Sequence, residues 1–163
     1  MANPGKSAQL QIRVSAAEKA VIQRAADRAG LGMSSYVLSR VLSMPAAQFQ
    51  KAIESARADS RFGLAELNAL LSGFTAKELQ DAVEAAPAIR LSPFVSNYVT
   101  AMVEYACGRR SVSAPAWTAL VQPLTEPAFG SNLESLRIHL LTNSPAPFRR
   151  RNIFIDSALG KQV

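Results

Sequence analysis

The sequence predicts a mostly α-helical protein with one short N-terminal strand that can pair only with a second chain. Three observations carry this reading. Residues Ala8–Val14 alternate strictly, with Leu10, Ile12 and Val14 apolar and Gln9, Gln11 and Arg13 polar, which is the period of a half-buried strand. Nearly all the rest spaces its apolar residues at helical intervals between capping and breaking residues. Nothing near the strand is strand-like, and a lone strand leaves its backbone groups unpaired. The 163 residues amount to about one domain, or a small domain with an extension. With 48% hydrophobic and 18% charged residues, a packed core is affordable.

The elements follow in order. Met1–Ser7 reads as a leader broken by Asn3, Pro4 and Gly5, with no apolar stretch of the kind a signal peptide needs. Ser15-Ala16-Ala17-Glu18 is a capping box opening a helix with Ala17, Ala20, Val21, Ala25 and Ala29 on its apolar face. Gly30 closes that helix as the residue past its C-cap. A second helix starts at Gly32 or Ser34 and carries Tyr36, Val37, Val41 and Leu42; Pro45 marks its end or begins the next helix. Further helices are predicted over about 46–58, with Phe49 and Ile53 inward, and over Leu64–Leu71, ended near Gly73. Another runs from the capping box Thr75-Ala76-Lys77-Glu78 to about Ala86, and another from Ser92-Pro93 to about Ala106. Residues 108–130 are loop-rich, with at most a short helix around Trp117. A last helix runs from Ser131 or Asn132 to about Leu141, and Ile153-Phe154-Ile155 reads as a short strand.

Net charge is +6 and the pI about 10.0. The surplus sits at the ends: residues 1–44 carry +4, residues 45–144 carry −1 and residues 145–163 carry +3. Basic segments concentrate polyanions, of which nucleic acid is the usual one; ordinary solubility charge is the plain alternative. Two copies of the strand, paired antiparallel about a twofold axis, would turn Leu10, Ile12 and Val14 toward the helices and present Gln9, Gln11 and Arg13 outward. Such a ribbon fits the major groove of B-DNA, where glutamine reads adenine and arginine forks onto guanine. The free amides opening the second helix, around Ser34–Tyr36, suit a phosphate.

The strand LQIRV, the helix SAAEKAVIQRAADRAG, the loop LGM and the helix SSYVLSRVL resemble, over residues 9–42, the ribbon–helix–helix (MetJ/Arc-like) DNA-binding family, and in particular its bacterial antitoxins. The resemblance implies an intertwined dimer with an intermolecular two-stranded antiparallel sheet. It implies base contacts from Gln9, Gln11 and Arg13 and a phosphate anchor at Ser34; Lys6 and Ser35 are further candidates for phosphate contacts. Gly32 departs from the small polar residue often found at its position. The division expected is 1–44 for DNA binding and dimerisation and 45–163 for a helical partner-binding region with a basic tail. The stretch from Trp117 through Phe148–Phe154 resembles proteins encoded beside nucleotidyltransferase-type toxins; no functional residue is carried over from it.

The remaining candidates are weighed against ordinary roles. Cys107, beside Arg109 and Arg110, is read as an inert thiol rather than a nucleophile paired with His139, and His139 as a core histidine. Asp81 with Glu84, and Glu54 with Asp59, read as solvated helix faces rather than acid–base or metal pairs. Phe94, Tyr98, Met102 and Tyr105 read as core, with a partner groove as the alternative. Arg149, Arg150, Arg151 and Phe154 are candidates for partner binding, the arginines equally a solvated charge run and the strand beside them equally a part of the core. One cysteine and one histidine leave no multi-ligand zinc site, and no phosphate-cradling or zincin motif occurs. The expectation is a cytoplasmic, non-enzymatic protein without cofactor or metal. It acts as a dimer or higher oligomer on double-stranded DNA, away from membranes. The function expected is an autoregulatory repressor and antitoxin that neutralises a protein toxin; a plasmid partition or mobilisation accessory protein, or an adaptor with no DNA role, is the alternative.

Overall fold

The computed structural model describes residues 11–41 and 44–156. The chain divides into two compact units, Met1–Leu42 and Ser43–Val163. It is mostly helical, and no helix among the described residues is long and apolar enough to cross a membrane.

The first unit holds α1 (Ala16–Arg28) and α2 (Met33–Val41). The capping box is formed in both directions: Ser15 Oγ accepts from the Glu18 amide and Glu18 Oε2 accepts from the Ser15 amide at 2.8 Å. At the other end Gly30 takes φ +66°. This lets the Leu31 amide reach Ala26 O at 3.0 Å and the Gly30 amide reach Asp27 O at 3.1 Å, a pairing that satisfies carbonyls the helix would otherwise leave open. Ala26 is the one buried residue of α1, and α2 buries none. Of the anticipated apolar face, Ala17, Ala20 and Val21 are exposed.

Within the single chain residues 11–15 form no strand, and residues 8–10 of the expected N-terminal strand lie outside the described residues. A strand whose partner is on another chain has no ladder to join within one.

The second unit is built on α3 (Met44–Ala58), α4 (Ser60–Gly73), α5 (Ala76–Val83) and α6 (Pro93–Arg109). Phe49, Ile53, Leu67, Leu71, Leu79, Val83, Val99 and Val103 form its fully buried centre. α4 begins four residues before its predicted start because Asp59 Oδ1 accepts from the Arg61 and Phe62 amides at 2.9 and 3.2 Å. α5 opens on the Thr75–Glu78 capping box but ends at Val83, short of Ala86. There Trp117, on a short 3-10 turn (Ala116–Leu120), donates from Nε1 to Val83 O at 2.8 Å. α6 starts where Ser92 caps and Pro93 takes the first turn, then continues through Gly108 to Arg109. Arg110 donates to Phe74 O and Ser72 O, both at 2.7 Å, covering the C-terminal carbonyls of α4.

The rest of this unit is short pieces. β1 (Ala128–Phe129) precedes a 3-10 turn (Glu134–Leu136), α7 (Arg137–Asn143), α8 (Ala146–Arg149) and β2 (Ile153–Phe154). β1 and β2 pair in parallel, Ala128 with Ile153 and Phe129 with Phe154. The anticipated tail strand is therefore used inside its own unit, with Ile153 buried and Phe154 stacked on Phe129 at 5.1 Å.

Hydrogen bonds from Thr75 hold the Glu78 carboxyl below its ordinary value, and those from Ser15 do the same for Glu18. Each group is more acidic folded than unfolded, so its contribution is present above the ordinary carboxylate value of 4.5 and is lost as pH falls through the lowered one. A Glu78→Gln variant should therefore lose less Tm than the wild type between pH 5 and pH 3. Parallel loss in both proteins would show that the capping carboxylate does not couple to folding.

Candidate nucleic-acid interface

In the first unit Gln11 and Arg13 lie in the chain leading into α1, and both are exposed. Lys6 and Gln9, the other expected DNA contacts before the helix, lie outside the described residues. Ser34 and Ser35 are exposed in the first turn of α2. The first intrahelical bond there runs from the Tyr36 amide to Gly32 O at 2.9 Å, so the amides before it have no acceptor within the helix. No acidic residue stands in that turn, and the positive end of the helix is unopposed there.

Lys19, Arg24, Arg28 and Arg40 add positive charge to the same unit, and all are exposed. Arg24 and Arg28 bend back along α1, their Nε atoms 3.3 Å from Ala20 O and Arg24 O, and Arg40 covers the Tyr36 ring at 5.3 Å. Among the described residues no carboxylate forms a salt bridge with any of these cations; Asp27 instead accepts from Gln23 at 2.8 Å. Ile12, Val14, Leu31 and Leu38 are exposed, with Val21 at 55% and Val41 at 69%. This many open apolar side chains on so small a unit was not anticipated, although alternation over 8–14 already implies one face in need of cover.

The tail residues are not brought together as a partner surface. Arg151, a candidate for partner binding, is only 6% exposed. Its Nη2 donates to Glu104 Oε1 at 2.6 Å and Thr118 O at 2.8 Å, and its Nη1 to Val121 O at 3.1 Å. Arg150 is exposed, 3.7 Å from the other oxygen of Glu104. Arg149 is exposed, while Phe154 is half-buried on Phe129.

Cys107 is buried, and burial pushes its thiol up despite the nearby Arg110. His139 is the reverse of the expected core histidine. It is exposed, with Nε2 3.5 Å from Asp156 Oδ2 and Nδ1 3.2 Å from the Asn143 amide nitrogen. No contact joins it to Cys107. Of the acidic pairs, Asp59 caps α4, and Glu54, Asp81 and Glu84 are exposed.

A family model of NikA-like proteins, described as mobilization protein NikA, matches residues 5–77, somewhat less than half of the chain. The match includes the whole of α1 to α4 and the start of α5. No curated protein and no solved structure matches the chain. The match favours the mobilisation alternative over the antitoxin; neither a toxin partner nor a repressor role draws support from it.

Proposed function

We propose that the protein is a DNA-binding accessory protein of plasmid mobilisation, acting as a dimer through its first unit. The observation that carries this reading is the match of residues 5–77 to NikA-like mobilization proteins, over a segment with exposed Gln11 and Arg13 and uncompensated positive charge. Two copies pair residues 8–14 as an antiparallel ribbon. Ile12 and Val14 turn inward, and the second chain's helices cover Val21 and its apolar neighbours. Gln9, Gln11 and Arg13 then face the major groove and read base edges. Lys6 and the first-turn amides of α2, at Ser34 and Ser35, hold phosphates and set the register. Reading is non-catalytic: the dimer marks a DNA site at which a mobilisation complex assembles.

The test is fluorescence anisotropy on DNA tiled across the region around the protein's own gene, at two salt concentrations and with scrambled competitor. Selective binding that weakens with salt is expected. Arg13→Ala should lose about 2 kcal/mol, roughly 30-fold, on the selected site and little on scrambled DNA. Equal affinity of wild type and Arg13→Ala for the selected site would remove the base-reading role, and absence of selectivity across the tiles would remove the function.

A further inference from the structure

The second unit carries a groove of about 600 Å3 walled by α4 and α6 and closed by β1, β2 and α8. It continues into a recess of about 180 Å3 that shares Asn68, Met102 and Tyr105 with it. Arg61, in the first turn of α4, lines the groove at one end, and Arg109, at the end of α6, lines the recess. The recess also reaches Ser72, three turns beyond Arg61 on the same helix, so the two ends lie about 16 Å apart. Neither arginine forms an ion pair among the described residues; Arg109 lies over the Tyr105 ring at 5.9 Å. The carboxylates nearby are engaged elsewhere. Asp59 accepts from the Arg61 and Phe62 amides, and Asp156, on the groove wall, stands 3.5 Å from His139.

Between these cations stands a row of rings. Phe94, Tyr98 and Tyr105 line the groove at i, i+4 and i+11, which places them on one face of α6. The buried Phe148 meets Tyr98 and Tyr105 in T-shaped contacts, at 5.2 and 6.4 Å, and holds both rings in place. Phe94 and Tyr98 lie 5.7 Å apart, tilted by 51°. Phe94 is exposed and the two tyrosines are half-buried, so all three keep open surface. The Asn68 side chain and the hydroxyls of Tyr98 and Tyr105 make no hydrogen bond among the described residues. Ring surface, polar groups without partners and a cation at each end are therefore gathered along one channel.

We infer that this groove binds single-stranded DNA. Bases stack on Phe94, Tyr98 and Tyr105, Asn68 bonds a base edge, and Arg61 and Arg109 take phosphates at the two ends. The separation of the arginines selects a strand. A small ligand with one anionic group meets one end only, whereas a strand carries an anion at every nucleotide with a planar ring beside each. A duplex does not fit, because its bases stack on one another and offer no face to a side chain. That the strand is DNA rather than RNA rests on the function proposed above. The site is separate from the first unit, to which duplex reading by Gln11 and Arg13 is assigned.

The test is fluorescence anisotropy of the full-length protein with labelled oligothymidine of about ten nucleotides, in excess unlabelled duplex of mixed sequence. Binding that persists against the duplex is expected. Tyr98→Leu and Tyr105→Leu should each weaken it about 10-fold without changing its salt dependence. Arg61→Gln and Arg109→Gln should each lower the slope of log affinity against log salt by about 0.7, the loss of one phosphate contact to a single strand. Oligothymidine carrying iodouracil, irradiated on the wild-type protein, should cross-link within residues 94–105. Arg13→Ala should leave single-strand binding unchanged, and the groove variants should leave duplex selectivity unchanged, so either reading can fail without the other. No binding at low salt, or arginine variants with the wild-type slope, overturns the inference. So do cross-links confined to residues 1–42, displacement by thymidine monophosphate as effective as by the strand, or tighter binding of oligouridine. Should a tyrosine variant melt below the wild type, the two arginine variants, at exposed positions, and the wild-type cross-link decide.

Discussion

Replacing Arg151 with alanine should destabilise the second unit by about 3 kcal/mol, the scale for breaking a buried ion pair from one side. The arginine arrives on the turn before β2 and reaches three separate segments. Its guanidinium holds Glu104 on α6, Thr118 O at the 3-10 turn, and Val121 O beyond it. Asn97, also on α6, donates to Gln122 O at 3.0 Å, and Asn152 donates to Leu124 O at 3.2 Å. These bonds tie the loop after Trp117 to α6 and to the tail. Removing the guanidinium leaves two carbonyls short of a donor and leaves Glu104 with Arg150 alone. Lysine keeps the charge but cannot fork, so Arg151→Lys should recover only part of the loss. Trp117 is the chain's one tryptophan, and urea unfolding followed by its fluorescence reads this unit directly. Arg151→Ala with Glu104→Ala should cost less than the two single changes together. A single Arg151→Ala within about 0.5 kcal/mol of wild type would return the residue to a surface charge run.

Arg151 also shows why part of the molecule was not legible in advance. In sequence it is the third arginine of three, and nothing local separates it from Arg149 or Arg150. Its burial is decided by partners 30 to 47 positions away. Features written within a few residues were legible: the capping boxes at Ser15 and Thr75, the serine and proline opening α6, and the glycine closing α1. They depend on side chains bonding to the backbone beside them. The start of α4 was less so, because Asp59 was weighed as half of an acidic pair with Glu54 rather than as a cap. Phe94, Tyr98, Met102 and Tyr105 were visible as one face of a helix. Met102 is buried as core, while Tyr98 and Tyr105 are half-buried and Phe94 is exposed along a groove. Helical spacing names a face without saying whether the opposing wall closes over it.

The candidate DNA interface was legible in the opposite sense. Alternation over residues 8–14 and the basic surplus of residues 1–44 are in the sequence. The single chain adds Gln11, Arg13, Ser34 and Ser35 at the surface, together with exposed Ile12, Val14 and Val21. The two short helices bury one residue of α1 and none of α2, which is too little apolar area to stabilise a unit of this size alone.

Glycine substitutions should separate the packing of α3 against α4 from simple helix propensity. Gly63 is buried in the first turns of α4, where a Cβ would stand 2.1 Å from Ala56 N and 2.3 Å from Ala56 Cα. The obstacle is the α3 backbone, which cannot rotate aside as a side chain would. Gly63→Ala must therefore push the two helices apart, at a cost of about 3 kcal/mol, the upper part of the range for overpacking. Gly108 lies near the end of α6 with nothing within 4 Å of the same added atom. Gly108→Ala should stabilise by about 0.5 kcal/mol through propensity and reduced freedom of the unfolded chain. The same chemical change thus carries opposite signs at two helical positions of one unit. If both substitutions stabilise, α3 and α4 are not in backbone contact at Gly63. If both destabilise, helix propensity does not decide the outcome at Gly108.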